Sequence, residues 1–284
     1  MRLQDGDIIS LEISTPNAWH TTDATVLLVH GLCGCHRSPY MIRLSRKLWK
    51  RGIRVIRVNL RGCGSGQGLA RNPYHSGSSD DVRAVLEHFL QVTPASQISL
   101  IGFSLGGNIV LKLAAELGAD GLSYIRKVTA VCPPVDLAAC AQLLGQPKNR
   151  LYEAHFVKLL CRAVNIRHQF FPDLSHIKLQ RHMSLYEFDQ CYTAPVCGFL
   201  GADDYYSRCS SAPLLPRIQV PCYLLFAQDD PFIDSSVLEQ INLPPHVLVW
   251  RTKHGGHLGF LGRPGHWGGF QWMDHMLMHW HQVA

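Results

Sequence analysis

The amino-acid sequence predicts a doubly wound α/β fold built on a mostly parallel sheet. Apolar strand-like runs alternate with amphipathic helix-like stretches from residue 8 to residue 132, which is the order expected of consecutive βαβ units. One of these runs, Val26–Val29, is apolar at every position, as is typical of a strand buried on both faces of a parallel sheet. The 284 residues are 46% apolar and 17% charged, so the chain can bury a substantial core.

Strands and helices follow one another closely in the first half of the chain. Strands are predicted at 8–13, 26–29, 53–58, 98–103 and 128–132. Helices are predicted from Pro39 to about Lys50, around 82–89, and at 105–117. Near the end of the chain the alternation returns, with strands at 222–226 and 247–250. A last helix is predicted to turn four side chains inward: Phe270, Met273, Leu277 and Trp280.

The segment 136–217 interrupts this alternation. It contains helix-like stretches such as 151–164, aromatic residues and loops, and no clear strand of a parallel sheet. We interpret it as a helical cap that is inserted over the carboxyl edge of the sheet. The core is then formed by residues 1–135 and 218–284, and the cap by residues 136–217.

The strand predicted at 98–103 leads directly into Gly102-Phe-Ser104-Leu-Gly106, and a helical pattern follows. A strand, a sharp turn and a helix around Gly-x-Ser-x-Gly are typical of a serine nucleophile that is exposed at the edge of a sheet. The two glycines are needed because side chains at Gly102 and Gly106 would collide with neighbouring backbone. An ordinary Gly/Ser-rich turn is the alternative interpretation, and the pattern alone does not exclude it.

A serine nucleophile needs a general base and a group that orients the base. On this type of sheet the carboxylate and then the histidine follow the serine along the chain. Asp230 comes just after the strand 222–226, and His257 lies in a glycine-rich loop after the last strand. Other residues in the same two loops compete for these roles: Asp229 and Asp234 for the carboxylate, and His254 for the base.

An oxyanion that forms beside Ser104 would need two converging N–H donors. The backbone N–H of Leu105 directly follows the nucleophile and is the first candidate. The second is expected in the loop after the strand 26–29, and we assign it to the backbone N–H of Leu32. Gly31 would let this backbone approach a substrate closely.

The net charge of +6 is unevenly distributed. Five cations of the first predicted helix recur at helical spacing and share one face: Arg43, Arg46, Lys47, Lys50 and Arg51. This face could contact an anionic membrane surface or a nucleic acid, but a solvated outer helix face is the commoner role. We therefore expect no nucleic-acid partner, and peripheral membrane contact through this face is the secondary alternative.

No cofactor or metal is expected from the remaining patterns. The Gly-rich loop 61–68 contains neither Gly-x-Gly-x-x-Gly nor a Gly-Lys-Ser/Thr motif. The ten cysteines include no Cys-x-x-Cys pair and are expected to be free thiols. No carboxylate or cysteine completes a ligand set near the histidines of the C-terminal segment, which are His266, His275, His279 and His281. A secretory signal and an apolar run of membrane-spanning length are both absent, so we expect a cytoplasmic protein.

Taken together, these motifs resemble the YheT-type family of α/β-hydrolases, which is related to eukaryotic esterases, phospholipases and ester-forming acyltransferases. The matching stretches are His30-Gly-Leu-Cys-Gly, Asn59-Leu-Arg-Gly-Cys-Gly, Tyr74-His-Ser-Gly, Gly102-Phe-Ser-Leu-Gly-Gly-Asn108, Asp204-Tyr-Tyr-Ser-Arg-Cys-Ser, Asp229-Asp-Pro-Phe and His254-Gly-Gly-His-Leu-Gly-Phe260. The resemblance implies the α/β-hydrolase fold and carboxylic-ester substrates. It also implies Ser104, Asp230 and His257 as the catalytic triad, which favours Asp230 over Asp229 and His257 over His254.

Members of that family usually carry several dozen residues before the leading strand, whereas Met1 lies almost on it here. One interpretation is that the contribution of such a segment to the acyl pocket or to membrane contact is lost here. The other is that the start of the chain is displaced.

The sequence thus predicts a serine esterase that cleaves short- to medium-chain acyl esters through an acyl-enzyme. Apolar residues of the cap are expected to line an acyl pocket, or else only to pack within the cap: Leu143, Leu144, Leu159, Leu160, Phe170 and Phe171. Two alternatives remain open. One is an acyltransferase that uses the same acyl-enzyme, and the other is a non-catalytic binding protein on a hydrolase fold.

Overall fold

The structure is a computed structural model that describes residues 1–180, 182–265 and 269–281. Its strands form one seven-stranded sheet in the order β1-β3-β2-β4-β5-β6-β7. Only the pairing of β1 with β3 is antiparallel; the other five pairings are parallel. The strands are β1 (Leu11–Ser14), β2 (Thr25–Val29), β3 (Arg54–Val58), β4 (Ile98–Phe103), β5 (Lys127–Val131), β6 (Cys222–Ala227) and β7 (Val247–Thr252).

Helices cover both faces of this sheet and its carboxyl edge. They are α1 (Pro39–Trp49), α2 (Ser79–Val92), α3 (Leu105–Leu117), α4 (Gly121–Tyr124), α5 (Leu137–Leu144), α6 (Arg150–Phe170), α7 (Leu185–Phe188), α8 (Ala194–Val196), α9 (Ala202–Cys209) and α10 (Trp272–Trp280). The predicted α/β fold with a mostly parallel, doubly wound sheet is confirmed.

The middle of the sheet forms the core because its strands carry apolar residues toward both layers of helices. Every residue of β2 and of β4 is buried, as expected for central parallel strands. Helix α1 begins at Pro39, whose fixed φ suits the first helical position. Its apolar face, with Met41, Leu44 and Leu48, is fully buried against the sheet.

The register brings the carboxyl ends of three strands together. Val29 of β2 lies beside Gly102 of β4, and Phe103 of β4 lies beside Val131 of β5. The loops that follow these strands therefore begin at the same edge of the sheet, where open α/β sheets bind their ligands.

Helices α5 to α9 lie between β5 and β6 in the chain, and residues 136–217 contribute no strand in their described part. The longest of them, α6, extends to Phe170 rather than ending near residue 164. The division of the chain at residues 135 and 217 stays a prediction from the sequence.

Two further details of the predicted elements are wrong. The first strand begins at Leu11 rather than at residue 8, because Ile8 pairs with Arg2 in an isolated bridge instead. Phe270 was expected on the inner face of the last helix, but it is 64% exposed. It lies in the short 3₁₀ turn Gly269–Gln271 before α10, so it does not share the helical spacing of Met273 and Leu277.

The basic face of α1 is partly neutralised by the last helix. Asp274 of α10 is buried and accepts hydrogen bonds from Arg43 Nε at 2.6 Å and Nη2 at 2.9 Å. Lys47 Nζ lies 3.0 Å from the same carboxylate. Two of the five cations expected to face solvent thus hold α10 against α1. Within the described residues, no helix is both long enough and apolar enough to cross a bilayer.

Replacement of Asp274 tests this contact. Asp274→Asn should lower the free energy of unfolding by about 2–3 kcal/mol, because it leaves two partly buried cations without their counter-charge. The matched control is Asp173→Asn, which removes an ion pair with Arg71 that is exposed on both sides. Its loss of stability should be much smaller, because water and salt screen an exposed ion pair. Urea denaturation of both variants measures the difference. Equal losses would contradict a structural role for Asp274.

Candidate active site

Ser104 occupies the tight turn between β4 and α3. Its backbone has φ 50° and ψ −124°, a conformation that residues with a side chain rarely adopt. A Cβ on Gly102 would lie 2.2 Å from the carbonyl oxygen of Gly106, and a Cβ on Gly106 would lie 2.5 Å from the carbonyl oxygens of Val29 and His30. The predicted need for glycine at both positions is confirmed, and the turn presents Ser104 at the carboxyl edge of the sheet.

Three side chains from separate loops meet at this edge. His257 Nε2 lies 2.9 Å from Ser104 Oγ, and His257 Nδ1 lies 2.8 Å from Asp230 Oδ2. The carboxylate can only accept, so Nδ1–H donates to Asp230 and Nε2 is left to accept the Ser104 hydroxyl proton. This is the hydrogen-bond order in which a histidine can act as a base on serine.

Asp230 is held rigidly behind the histidine. Its side chain is 1% exposed, and its second oxygen, Oδ1, accepts the backbone N–H groups of Phe232 and Ile233, both at 3.2 Å. Cys132 at the end of β5 packs on the same side, and its buried thiol has a pKa well above the usual range because of burial and the neighbouring carboxylate. The carboxylate therefore has donors at both oxygens and little freedom to turn.

The three competing candidates, Asp229, His254 and Asp234, contact groups other than Ser104 and His257. Asp229 Oδ1 accepts the N–H groups of Gly255 at 2.8 Å and Gly256 at 2.7 Å. The Gly256 N–H is the main reason that the pKa of Asp229 lies below its usual range. His254 lies 3.4 Å from Asp229 and its side chain is 77% exposed, while Asp234 accepts from Ser236 N at the start of the next turn. Asp229 thus shapes the loop that carries His257.

The two predicted oxyanion donors lie in the wall of one cavity with Ser104. Among the described residues, the backbone N–H groups of Leu32 and Leu105 have no hydrogen-bond partner. Leu105 is the first residue of α3, so its N–H is one of the free donors at a helix N-terminus. A Cβ on Gly31 would lie only 3.1 Å from Ser104 Cβ, so the loop that carries Leu32 runs directly beside the serine.

Two tyrosines hold that loop in place by hydrogen bonds to its backbone, and no sequence pattern had indicated either of them. Gly31 N–H donates to Tyr40 Oη at 3.1 Å, and Cys33 N–H donates to Tyr74 Oη at 2.8 Å. The residues on either side of Leu32 are thus fixed, and its own N–H remains available. Tyr74 belongs to a stretch quoted for the family resemblance, but its spacing gave no sign of this contact.

His30 supports the same loop from inside the core. It is fully buried, and burial lowers its pKa to about 4, so it is neutral at pH 7. Leu60 N–H donates to Nε2 at 3.2 Å, which leaves Nδ1–H to donate to the Gly31 carbonyl at 2.8 Å. His30 is therefore a structural residue of the loop that carries Leu32.

A cavity of about 430 Å³ opens at Ser104. The cap supplies much of its wall, and four of the six apolar side chains expected there contribute: Leu144, Leu159, Leu160 and Phe171. The expectation is wrong for Leu143 and Phe170, which are not in the wall; the Phe170 ring lies against Gly68 instead. Residues of the Gly-rich loop 61–68 also line the cavity.

Two buried titratable side chains in the cavity wall have shifted pKa values. Asp189 accepts from Tyr206 Oη at 2.8 Å, and burial raises the pKa of Asp189 to about 6. Burial also lowers the pKa of His75 to about 4. At pH 7 His75 is therefore neutral, whereas Asp189 remains largely ionised.

Metal-ligand atoms cluster at one place in residues 1–180, 182–265 and 269–281. They belong to Cys132, Asp230 and His257 and lie within 4.8 Å of one another, but the Asp230–His257 hydrogen bond already occupies two of them. His281 is buried with its Nε2 2.8 Å from Thr129 Oγ1. His266 lies outside the described residues. All ten cysteines are free thiols.

The chain is similar to known proteins over most of its length. Residues 24–264 match the profile of the α/β hydrolase fold. The chain is 32% identical to YheT of Escherichia coli (strain K12) over 266 residues, which cover 92% of this chain and 78% of YheT. It is also 28% identical to the medium-chain fatty acid ethyl ester synthase/esterase 2 of Saccharomyces cerevisiae (strain ATCC 204508 / S288c). That match extends over 269 residues and covers 84% of this chain and 58% of the yeast protein.

A solved structure agrees with the fold. Est1E from Butyrivibrio proteoclasticus, with ferulic acid bound, superimposes with a TM-score of 0.58 at 13% identity, over 89% of this chain and 88% of Est1E. At this identity the likeness concerns the fold alone. The profile match and the extended identity to YheT lead to one conclusion: the chain belongs to the α/β-hydrolase family, in the group that includes YheT.

Proposed function

We propose that this protein is a serine esterase that cleaves carboxylic esters of short- to medium-chain acids through an acyl-enzyme on Ser104. The observation that carries the proposal is the pair of hydrogen bonds that links Ser104 to His257 and His257 to Asp230 at the wall of an apolar cavity. Relatives that are named as esterases support the general class of reaction, an ester hydrolase.

In the first step His257 Nε2 takes the Ser104 hydroxyl proton while Ser104 Oγ attacks the ester carbonyl carbon. Asp230 keeps Nδ1 protonated, so Nε2 is free to accept, and its charge stabilises the imidazolium that forms. His257 then gives the proton to the leaving alcohol, and the acyl group remains on Ser104. The 2.9 Å between His257 Nε2 and Ser104 Oγ suits the proton transfer, and the 2.8 Å between Nδ1 and Asp230 suits the hydrogen bond that orients the ring.

The negative charge of the tetrahedral intermediate falls on the former carbonyl oxygen. Two unpaired N–H groups beside Ser104, those of Leu32 and Leu105, would donate to it. Because Tyr40 and Tyr74 fix the residues that flank Leu32, this donor needs no rearrangement when charge develops. Preorganised donors of this kind are worth about 3–4 kcal/mol each in related sites.

The acyl chain is proposed to occupy the cavity between the cap and the Gly-rich loop. Its volume of about 430 Å³ is at the lower end of the range of about 300–1,000 Å³ that is usual for small-molecule sites. Such a volume favours short and medium acyl chains over long ones. Initial rates on p-nitrophenyl esters of graded chain length measure this directly, with kcat/KM expected to pass through a maximum and then fall.

Acyl transfer is a second candidate, because one relative is named as both an ester synthase and an esterase. The acyl-enzyme is common to both reactions, and only the acceptor differs: water gives the acid, and an alcohol gives a new ester. Product analysis with added ethanol separates them by the ratio of ethyl ester to free acid. A non-catalytic binding protein is less well supported, since it has no use for the hydrogen-bonded order of Ser104, His257 and Asp230.

Ser104→Ala should abolish ester hydrolysis and leave the fold intact, because the side chain lines the cavity and Ala keeps the same Cβ. Residual turnover of about 10³-fold over the water rate is expected from the oxyanion donors alone. The assay is p-nitrophenyl ester hydrolysis, with thermal unfolding as the control for folding. Undiminished activity would exclude Ser104 as the nucleophile.

Asp230→Asn should lower kcat far more than Asp229→Asn does. Asparagine at 230 can favour the wrong imidazole tautomer, a change that costs about 10⁴-fold in a related triad. Asparagine at 229 only weakens the turn at Gly255 and Gly256, so we expect a loss of about tenfold or less, at the level of one surface hydrogen bond. Steady-state kinetics of the two variants decide, and the reverse order would transfer the role to Asp229.

His257→Ala should remove activity, and His254→Ala should only reduce it, because only His257 lies within reach of Ser104 Oγ. In the wild type kcat/KM should fall as the pH is lowered, since a protonated imidazole cannot accept the serine proton. A pH profile of each variant provides the measurement. Near-normal activity in His257→Ala with the acid limb retained would place the base elsewhere.

A further inference from the structure

We propose that helix α6 of the cap binds an anionic lipid surface and holds the mouth of the cavity against it. The cavity's use as an acyl site rests on the proposed function; the contact with lipid rests on the surface of α6 alone. The observations are the charge balance of the helix, the spacing of its exposed side chains, and its place at the mouth.

The charge balance is one-sided. Residues 148–170 contain five cations and one acid. The acid, Glu153, accepts from Leu185 N–H within the cap, and Arg167 donates to the backbone carbonyl of Arg71 and to Tyr192 Oη. The other four cations make no ion pair with any residue of the part of the chain that the structure describes: Lys148, Arg150, Lys158 and Arg162.

The cations of α6 share their face with apolar side chains that point to solvent. Leu151, Lys158 and Arg162 are spaced i, i+7 and i+11, so they lie along one line of the helix. Leu151 is 78% exposed and Tyr152 beside it is 51% exposed. The opposite face is buried, because Val157 and Val164 pack into the cap. An exposed face that mixes cations with apolar side chains is typical of helices that lie in a membrane interface.

The same helix forms one side of the cavity mouth. Arg162 and Ala163 are both exposed and both line the cavity. Phe170 at the end of α6 is 55% exposed, and its ring contacts Gly68, a residue of the Gly-rich loop that lines the cavity. A lipid surface in contact with α6 would therefore lie at the opening through which an acyl chain reaches Ser104.

A lipid surface fits these features better than a nucleic acid does. A nucleic acid would use the cations but would leave Leu151, Tyr152 and Phe170 in water, whereas an anionic bilayer binds the cations and buries the apolar side chains as well. The α1 face that the sequence singled out is weaker in this respect, since Arg43 and Lys47 are engaged with Asp274.

The test is co-sedimentation of the full chain with vesicles of phosphatidylcholine alone and of phosphatidylcholine mixed with phosphatidylglycerol. The wild type should bind the anionic vesicles, bind the neutral ones at least tenfold more weakly, and release as salt is raised, because salt screens the attraction. Each cation near such a surface raises the binding constant about fivefold. The double variant R150E/K158E should therefore bind anionic vesicles at least about tenfold more weakly.

The matched control is K50E/R51E, which reverses two exposed cations at the end of α1 and should change vesicle binding by less than about twofold. Both double variants should hydrolyse a soluble p-nitrophenyl ester at the wild-type rate, because none of the four residues lines the cavity. Ser104→Ala should bind vesicles normally, so a failure of the proposed catalysis would leave this result unchanged.

Four results would overturn the proposal. One is equal binding of the wild type to neutral and anionic vesicles, and another is undiminished binding by R150E/K158E. The third is loss of vesicle binding in the α1 variant rather than in the α6 variant. Binding to duplex DNA without binding to either type of vesicle would also contradict it.

Discussion

The contact between the Ser104 turn and the end of β2 is the constraint on which the rest of the site depends. Gly106 packs so closely on the carbonyl oxygens of Val29 and His30 that a single added Cβ would lie 2.5 Å from them. This close packing brings the start of α3 beside the loop that carries Leu32. As a result, one short stretch of backbone sets the position of Ser104 Oγ and of both unpaired N–H groups relative to each other.

The other parts of the site are arranged around that turn. Tyr40, Tyr74 and His30 fix the Leu32 loop by hydrogen bonds to its backbone, and Asp229 fixes the loop of His257 in the same way. Each of these residues acts on backbone rather than on a substrate. Rigid support of this kind matters because electrostatic stabilisation of a transition state requires donors that are in place before charge develops. The cap then adds an apolar chamber on one side.

Much of this arrangement could be predicted because it follows from local rules. The alternation of strands and helices gives the parallel sheet, and the carboxyl ends of parallel strands meet at one edge, so Ser104, Asp230 and His257 were expected near one another. Spacing could not separate Asp230 from Asp229 or His257 from His254, because each pair lies within one loop. The loop conformation separates them: Asp229 is turned to the backbone of Gly255 and Gly256, and Asp230 is turned to His257.

The features that escaped prediction depend on contacts between distant segments. Tyr74 reaches the Leu32 loop from 41 residues away, and Asp274 reaches Arg43 from 231 residues away. No local pattern records such pairings. The positions of Phe270 and Phe170 were wrongly predicted for a different reason. Each lies at the end of a helical pattern, and periodicity alone does not fix where such a pattern ends. Helix α6 of the cap is longer than its apolar spacing indicated. Its exposed cations support the proposed contact with lipid.

The central claim is that Ser104 is a nucleophile activated within the folded site. The most direct measurement is reaction with a fluorophosphonate probe, followed by mass spectrometry of the intact protein and of its peptides. We expect one equivalent of label, located on the peptide that contains Ser104, and none after prior unfolding of the chain. An absence of label in the folded protein, or label on a different serine, would contradict it.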